Sequence, residues 1–354
     1  MSKPLVLTCD IGTQSARALL VDPDGRIVDV VQSKYAEPYF SKEPGWAEQK
    51  PDFYFDRLCE CCRELCARSN ALLPDVIAMT ITVIRDTVVC LDENNNPLRD
   101  IILWLDKRTV DPNGAMPAKN MMVFKVAGME PTAKVVYAAS AGNWIMRHEP
   151  EIWARTAKYV MLPTYLNYKL TGNLIDSASN QIGHIPFDYK NRRWMKPGSL
   201  TRCFCDVPNE KLCDLVPSGT VIGTITEQVC ALTGIPAGLP LISTGSDKGC
   251  ETLGLAVVDS DKASISLGTT ATIQFSTTQY VEPQQFLPAY PGVLNDHYNP
   301  EIEIYRGLWL LSWFVKEFGT ADAIDAKEMG MAPEALLDQR IRDLPAGSDG
   351  LLLQ

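Results

Sequence analysis

The sequence predicts an α/β protein built from two domains, and three observations support this prediction. The chain has 354 residues, which is more than one hydrophobic core usually serves. Apolar segments of strand length alternate with segments of helical periodicity. After Leu241 the pattern of elements at the start of the chain recurs. The strand at 263–267 ends in a short turn containing Gly-Thr and is followed by a return strand.

Composition and charge exclude several classes of protein. Hydrophobic residues make up 46% of the chain and charged residues 21%, which excludes a disordered chain, a collagen-like fibre and a coiled coil. A formal charge of -10 gives no general attraction to nucleic acid or to an anionic membrane. The apolar stretch at 5–7 is too short for a signal sequence, and no apolar run reaches membrane-spanning length, so we expect a cytoplasmic protein.

The first half of the chain begins with an antiparallel meander. Strands are predicted at 5–9, 16–21 and 27–35, and Asp24-Gly25 is a favourable hairpin turn between the last two. A helix follows Pro51. The remaining predicted elements are strands at 76–81, 88–91 and 101–104, a helical region at 134–172, an irregular region at 172–240, a helix opening at 245–249, strands at 263–267 and 273–276, and a helix starting at 309–314.

Four of the eleven cysteines crowd into the helix after Pro51, which raises the question of a metal site. These thiols alternate with Phe55, Leu58 and Leu65 at helical spacing, which favours a buried apolar face. No second pair of ligands with zinc spacing lies nearby. The odd number of cysteines and the chain length favour reduced thiols over a disulfide framework. The crowded cysteines are Cys59, Cys61, Cys62 and Cys66.

Two Gly-Thr turns between strands are candidates for binding phosphate groups. Glycine lets the backbone approach an anion, and the threonine hydroxyl adds a donor to the backbone N–H groups. Either turn alone is also ordinary hairpin chemistry. The residues concerned are Gly12, Thr13, Gln14 and Ser15 in the first turn and Gly268, Thr269 and Thr270 in the second.

Three charged residues near these turns add to the hypothesis. Asp10 precedes the first turn, and a carboxylate beside phosphate is favourable mainly when magnesium lies between them. Arg17 can balance this acid, or form a structural salt bridge with it. Asp247 lies at a strand-to-helix junction, where a carboxylate can point into a cleft or simply act as an N-cap. The P-loop, dinucleotide-binding, zinc-protease and nucleophile-elbow motifs are absent from the sequence.

Seven segments, in order, resemble the FGGY family of carbohydrate kinases, relatives of xylulokinase and glycerol kinase. They are DIGTQSAR at 10–17, PGWAEQ at 44–49, IILWLDKRT at 101–109, YKLTG at 168–172 with Asp176 and Ser179, FDYKNRRW at 187–194, GSD at 245–247 and SLGTTA at 266–271. The resemblance implies two ribonuclease-H-like domains of the actin-like ATPase and sugar kinase superfamily, with a cleft between them. It implies an N-terminal sugar-binding domain at 1–246, a hinge at 247–254 and the start of a nucleotide-binding domain at 255–354.

The resemblance also implies how the site works. ATP and Mg²⁺ would lie in the cleft, with the γ-phosphate between the two turns and Asp10 holding the metal. Asp247 would accept the proton of the substrate hydroxyl as it attacks phosphorus. Gly307, before the helix at 309–314, is a further candidate for close approach to the nucleotide, although a glycine before an aromatic helix is common on packing grounds.

The segment TVIRDT at 82–87 bears on the choice of substrate. It is more similar to the Arg-Glu-Thr of glycerol kinases than to the histidine-containing segment of xylulokinases. Arg85 and Asp86 together can bind vicinal hydroxyl groups of a polyol or an open-chain ketose, or can form a salt bridge. Trp104 and Asp106 could line the same pocket, or Trp104 could belong to the core. The expected substrate is therefore a small sugar or polyol, such as xylulose or glycerol.

Other readings stay open. The chain could be a nucleotide-binding homologue without catalytic activity, and a homodimer is also possible. Members of the resembled family are longer, so the second domain is expected to be incomplete. In that case Leu351, Leu352 and Leu353 should expose apolar surface.

Overall fold

A computed structural model describes residues 3–268, 270–304 and 307–351. The strands are β1 (Leu5–Ile11), β2 (Ser15–Val21), β3 (Ile27–Lys34), β4 (Glu48–Gln49), β5 (Val76–Val83), β6 (Val88–Leu91), β7 (Ile101–Ile102), β8 (Lys158–Met161), β9 (Ile175–Ser177), β10 (Phe187–Asp188), β11 (Arg193–Trp194), β12 (Asp214–Val216), β13 (Val221–Thr224), β14 (Pro240–Ile242), β15 (Ser264–Leu267), β16 (Ala271–Gln274), β17 (Tyr290–Pro291), β18 (Tyr298–Asn299) and β19 (Glu301–Ile304). The helices are α1 (Pro51–Arg68), α2 (Ala118–Val126), α3 (Glu130–Ala139), α4 (Ala141–His148), α5 (Pro150–Arg155), α6 (Leu162–Thr171), α7 (Glu227–Thr233), α8 (Asp247–Gly254), α9 (Trp309–Phe318), α10 (Thr320–Glu328) and α11 (Pro333–Ile341).

A six-stranded sheet organises the first part of the chain, in the order β13-β14-β5-β1-β2-β3. The meander predicted from the sequence is confirmed, because β2 pairs antiparallel with both β1 and β3. β5 pairs parallel with β1 on one side and with β14 on the other. The carboxyl ends of β1, β5 and β14 therefore meet at one edge of the sheet, which is where an open α/β sheet usually binds its ligand.

Helix α1 covers one face of this sheet with its cysteines. The four thiols are buried and free, as the helical spacing predicts. The Sγ atom of Cys62 lies 3.4 Å from that of Cys9 in β1. Burial raises the pKa of Cys59 to about 12, because the thiolate would lose its hydration. No cluster of three or more metal-binding side chains occurs among the described residues.

The region between 82 and 240 differs in part from the sequence prediction. A smaller sheet forms in the order β4-β7-β6-β8, so β8 interrupts the stretch at 134–172 that was expected to be helical throughout. Ser140 begins α4 by accepting a hydrogen bond from the N–H of Asn143, and Pro150 begins α5, so short helices replace one long helix. Residues 172–240 are mostly irregular, as expected, but contain α7 and several short strands.

A three-stranded antiparallel sheet, in the order β15-β16-β19, begins the second part of the chain. Its alternating sequence places polar side chains on one face and apolar side chains on the other. Ile265, Ile273 and Ile302 lie side by side on the apolar face, and each is exposed. Helices α9, α10 and α11 follow and pack on one another. No described helix is long and apolar enough to cross a membrane.

Candidate active site

A cleft of about 1450 Å³ lies between the carboxyl edge of the six-stranded sheet and the polar face of the three-stranded sheet. Most of the residues singled out in the sequence line it. These are Asp10, Gly12, Thr13, Gln14, Ser15, Arg17, Arg85, Asp86, Trp104, Asp247, Gly268 and Thr270. Asp106 and Gly307 are not among the lining residues, and Thr269 lies outside the described residues.

The first Gly-Thr turn joins β1 to β2 at the wall of the cleft. The N–H of Gly12 donates to the carbonyl oxygen of Ser15 over 3.0 Å, which closes the turn. The indole N–H of Trp104 donates to the hydroxyl oxygen of Thr13 over 3.0 Å. Trp104 therefore holds the threonine of the turn in place as well as lining the cleft.

Asp10 and Arg17 form an ion pair beside this turn. They face one another across β1 and β2, and Arg17 Nη1 lies 2.6 Å from Asp10 Oδ2. Both side chains are partly exposed to the cleft. The structural salt bridge considered for Arg17 is therefore present, and it leaves Asp10 accessible from the cleft.

The second Gly-Thr turn joins β15 to β16 on the opposite side. The N–H of Gly268 donates to the carbonyl oxygen of Thr270 over 3.0 Å. Gly307 packs behind the turn, because a Cβ atom added to it would lie 2.5 Å from that carbonyl oxygen. Gly307 thus supports the backbone of the turn and is not among the residues that line the cleft, and its close approach to the nucleotide stays a prediction.

Asp247 is the first residue of α8, directly after the N-cap Ser246. The hydroxyl of Ser246 accepts a hydrogen bond from Gly249, so Asp247 itself is free of the capping role considered from the sequence. Its Oδ1 accepts from the N–H of Lys248 over 2.8 Å and lies 3.9 Å from Arg85 Nε. Burial raises the pKa of the Asp247 carboxyl, and the positive charge of Arg85 opposes that rise.

Arg85 follows β5 and connects the two sides of the cleft. Its Nη2 donates to Glu301 Oε1 in β19 over 2.5 Å, and its guanidinium lies 5.4 Å from the centre of the Tyr290 ring. Nη1 is buried and has no hydrogen-bond partner among the described residues. One cation therefore faces two carboxylates, Asp247 and Glu301, at the centre of the site.

Asp86, the next residue, turns to a different partner. Its Oδ2 lies 2.8 Å from Nδ1 of His184, and its Oδ1 accepts from the backbone N–H of the same residue over 2.9 Å. Arg85 and Asp86 are adjacent in sequence and both line the cleft, but their side chains contact different partners, Glu301 and His184. The expectation that they bind neighbouring hydroxyl groups together stays a prediction.

Asp106 lies outside the cleft, contrary to the prediction that it could line the substrate pocket. Its carboxylate accepts from the N–H of Ala47 over 2.6 Å and from Arg108 Nη2 over 2.7 Å. The Arg108 guanidinium lies against the rings of Trp46 and Trp144, at 3.7 and 4.6 Å from their centres. Asp106 therefore neutralises a buried arginine that packs against two indole rings.

The lining residues that the sequence analysis missed include Lys248, His184, Tyr290 and Glu301. Lys248 directly follows Asp247, and its Nζ contacts Glu251 at 3.0 Å and Ser266 at 2.7 Å. A weak signal existed for His184, because it is one of only three histidines in the chain. Glu301 and Tyr290 lie in segments without a recognised motif, so the neighbouring sequence contained no signal that they belong to a site.

Residues 5–254 match the N-terminal domain of the FGGY family of carbohydrate kinases. The chain belongs to this family. The FGGY match covers both the six-stranded sheet and α8, and therefore includes Asp10, Arg85 and Asp247. The family resemblance drawn from the sequence is confirmed.

Several relatives of the chain are named as sugar kinases. An uncharacterised sugar kinase of Escherichia coli, YgcE, is 26% identical over 353 residues, which cover 99% of this chain and 64% of that protein. The xylulose kinase of Bacillus subtilis is 24% identical over 360 residues, which cover 98% of this chain and 66% of that protein. The chain thus spans 64% and 66% of the length of these two relatives.

Solved structures of FGGY-type kinases share the fold. A ligand-bound xylulose kinase from Lactobacillus acidophilus superposes with a TM-score of 0.77 and 20% identity, over 99% of this chain and 68% of that one. Plasmodium falciparum glycerol kinase with ADP gives a TM-score of 0.69 and 17% identity, over 92% of this chain and 67% of that one. The predicted α/β fold of the ribonuclease-H-like, sugar kinase class is confirmed.

Proposed function

We propose that this protein transfers the γ-phosphoryl group of ATP to a hydroxyl group of a small sugar or polyol. The observation that carries the proposal is the position of Asp247. This carboxylate lies at the carboxyl edge of the sheet, 3.9 Å from Arg85 Nε, in the cleft that both Gly-Thr turns line. A base held at this point can accept the proton of a substrate hydroxyl as that oxygen attacks the phosphorus.

The titration of Asp247 suits this role. Burial raises its pKa, which makes the carboxylate a better proton acceptor than an exposed one. The positive charge of Arg85 opposes this rise in the pKa. The residue is still about a quarter exposed, so a hydroxyl group in the cleft can reach it.

The two turns would hold the phosphate groups from opposite sides. Thr13, Gln14 and Ser15 offer backbone and side-chain donors on one side, and Gly268 and Thr270 on the other, with Thr269 in the same turn. Asp10 would hold Mg²⁺ through water, since Mg²⁺ in nucleotide sites commonly uses one carboxylate and keeps several waters. The donor set fits this, because Asp10 is accessible from the cleft and is balanced by a single arginine. When bound, Mg²⁺ would neutralise charge on the phosphate oxygens.

The sugar would lie beside Asp247, near Arg85, Asp86 and Trp104. Three carboxylates and an arginine in this part of the cleft, together with an indole ring, suit a neutral ligand rich in hydroxyl groups. The relatives include proteins named xylulose kinase and a structure named glycerol kinase. We therefore propose a pentulose such as xylulose or a small polyol as the substrate. Helix α8, at 247–254, would be the hinge between the sugar-binding and nucleotide-binding parts.

The test is an ADP-release assay with Mg-ATP across D-xylulose, D-ribulose, erythritol and glycerol. At least one sugar should stimulate ADP release by the wild-type protein. Asp247→Asn keeps the size of the side chain but removes the base, and should lower kcat by about 10²- to 10⁴-fold with little change in the KM for the sugar. Asp259→Asn is the matched control, because Asp259 is exposed a few residues after α8.

Three outcomes decide the proposal. Full turnover by Asp247→Asn would show that Asp247 is not the base. Nucleotide binding without a response to any sugar would favour a catalytically silent homologue. A loss of turnover in Asp259→Asn equal to that in Asp247→Asn would show that the effect is not specific to the cleft.

A further inference from the structure

His184 stands beside Asp86 at the wall of the cleft, on the loop between β9 and β10. The backbone of this loop is tied to Asp86, because the N–H of Asp86 donates to the carbonyl oxygen of Ile182 over 3.0 Å. Asp86 in turn accepts two hydrogen bonds from His184, one on each carboxylate oxygen. His184 therefore occupies both oxygens of the acid that the sequence analysis assigned to substrate binding.

The backbone around this pair leaves little freedom for another arrangement. Asp86 has a φ of +50°, which is uncommon for a residue with a side chain. A Cβ atom added to Gly183 would lie 2.9 Å from the Cα atom of Asp86 and would collide with its carboxylate, so only glycine fits here. The hydroxyl of Tyr189 donates to the carbonyl oxygen of Gly183 over 2.9 Å and fixes the loop from behind. The carboxylate is thus held facing the histidine.

The opposite edge of the imidazole is available to a ligand. His184 lines the cleft with about a third of its side chain exposed, and its Nε2 has no hydrogen-bond partner among the described residues. The attraction of the Asp86 carboxylate and its hydrogen bond raise the pKa of His184, against the effect of burial. The other charged or titratable groups that interact with the pair include Arg85, Tyr159, Tyr189, Cys205 and Tyr290.

We propose that His184 contacts the sugar on this side of the cleft by donating its Nε2–H to a sugar oxygen, and that Asp86 is a positioning residue that acts through it. This inference rests on the proposed function. It assigns the contact with the sugar, which the sequence analysis gave to Asp86, to a histidine that lies in no recognised motif. The imidazolium donates at both nitrogens, to Asp86 and to the sugar. The neutral ring keeps its proton on Nδ1 for Asp86, so its Nε2 loses the donor.

The experiment measures the Kd of a sugar by calorimetry between pH 5.5 and 9, with the panel used for the kinase assay. Binding by the wild-type protein should weaken as the pH rises through the raised pKa of His184. His184→Gln should bind the sugar about tenfold or more weakly at pH 6, because a charge-assisted hydrogen bond is lost, and its Kd should be flat over this pH range. Asp86→Asn should move the midpoint of the pH dependence downward.

His297→Gln is the matched control. His297 also pairs with an aspartate, with its Nδ1 2.9 Å from Asp296 Oδ1, but it does not line the cleft. Its substitution should leave both the Kd and its pH dependence unchanged. A melting curve of each variant shows whether it is folded.

A second measurement does not depend on the variants. In wild-type protein the NMR titration of the His184 ring should move to higher pH when the sugar is bound, because the sugar prefers the imidazolium. An unchanged titration, or a His184→Gln variant that binds the sugar as wild type does, would overturn the inference while leaving the kinase proposal intact. Failure of every sugar to bind the wild-type protein would overturn the proposed function itself, and the inference with it.

Discussion

The two sheets that face the cleft use the same alternating pattern in opposite ways. In the six-stranded sheet, alternate side chains of β1 such as Leu7 and Cys9 are buried beneath covering elements. In the three-stranded sheet, the buried side chains are polar and the apolar ones are exposed. Ile302 is 55% exposed, while its neighbour Glu301 is 5% exposed.

This difference separates two tasks that a sheet can perform. The first sheet forms a core and lines the cleft with its carboxyl edge. The second offers a whole polar face as a wall of the cleft, with Ser266, Glu301 and Glu303 among the lining residues. Its apolar face, including Ile265, Ile273 and Ile302, contributes little to the core of the described residues. Stability should therefore depend much more on the first sheet than on the second.

The largest expected effect comes from making the same substitution in both sheets. Ile81 in β5 is 3% exposed, and Ile81→Ala should lower the free energy of unfolding by about 2–5 kcal/mol through lost burial and a cavity. Ile273 in β16 is 44% exposed, and Ile273→Ala should cost less than about 1 kcal/mol. Urea unfolding of both variants measures the difference. Equal losses would mean that the apolar face of the second sheet is covered in solution.

A smaller effect is expected at the second Gly-Thr turn. A Cβ atom on Gly307 would lie 2.5 Å from the carbonyl oxygen of Thr270, so Gly307→Ala must displace backbone and should cost about 1–3 kcal/mol. Gly254, at the end of α8, has open space around it, and Gly254→Ala should be neutral or slightly stabilising. Thermal unfolding distinguishes them. A Gly307→Ala variant as stable as the control would show that the turn does not depend on this close approach.

The smallest expected effect concerns how readily a reagent reaches the buried thiols of α1, which packs on the first sheet. Cys59 and Cys62 on α1 are buried, and burial raises the pKa of Cys59 to about 12, so few of these thiols form the reactive thiolate. Cys203 and Cys230 are partly exposed. Iodoacetamide at pH 8 should label Cys203 and Cys230 before the thiols of α1, as read by peptide mass spectrometry. Early labelling of Cys62 would indicate that α1 separates from the sheet.

Local patterns in the sequence predicted the parts of the fold that local interactions decide. The meander, the helix of cysteines and the two turns follow from periodicity and turn chemistry. The short helices between Glu130 and Thr171 were predicted less well, because the strand β8 is stabilised by its pairing with β6, which lies far earlier in the chain. Pairing between segments that are distant in the sequence produces no periodic residue pattern within either segment.

The candidate site shows the same division. Asp10, Arg85 and Asp247, which line the cleft, were singled out because each lies near the end of a strand or the start of a helix in a recognisable segment. The partners that orient them are remote, since His184 is 98 positions from Asp86 and Glu301 is 216 positions from Arg85. The placement of Asp106 failed for the opposite reason: Arg108, only two positions away, binds its carboxylate outside the cleft.

The alternation in β19 makes the alignment of this strand decisive for the cleft. Glu301 and Glu303 face inward, while Ile302 and Ile304 face outward, and β16 fixes this arrangement through the pairs Ile273–Ile302 and Gln274–Glu301. Sliding β19 by one residue would exchange its two faces and place isoleucine where Glu301 now meets Arg85. Among the described residues, the Arg85 guanidinium would then keep only Asp247 as an acidic partner. The wall of the cleft would become apolar. The cleft therefore contains its charged side chains only when the edge strand β19 pairs with β16 in the correct register.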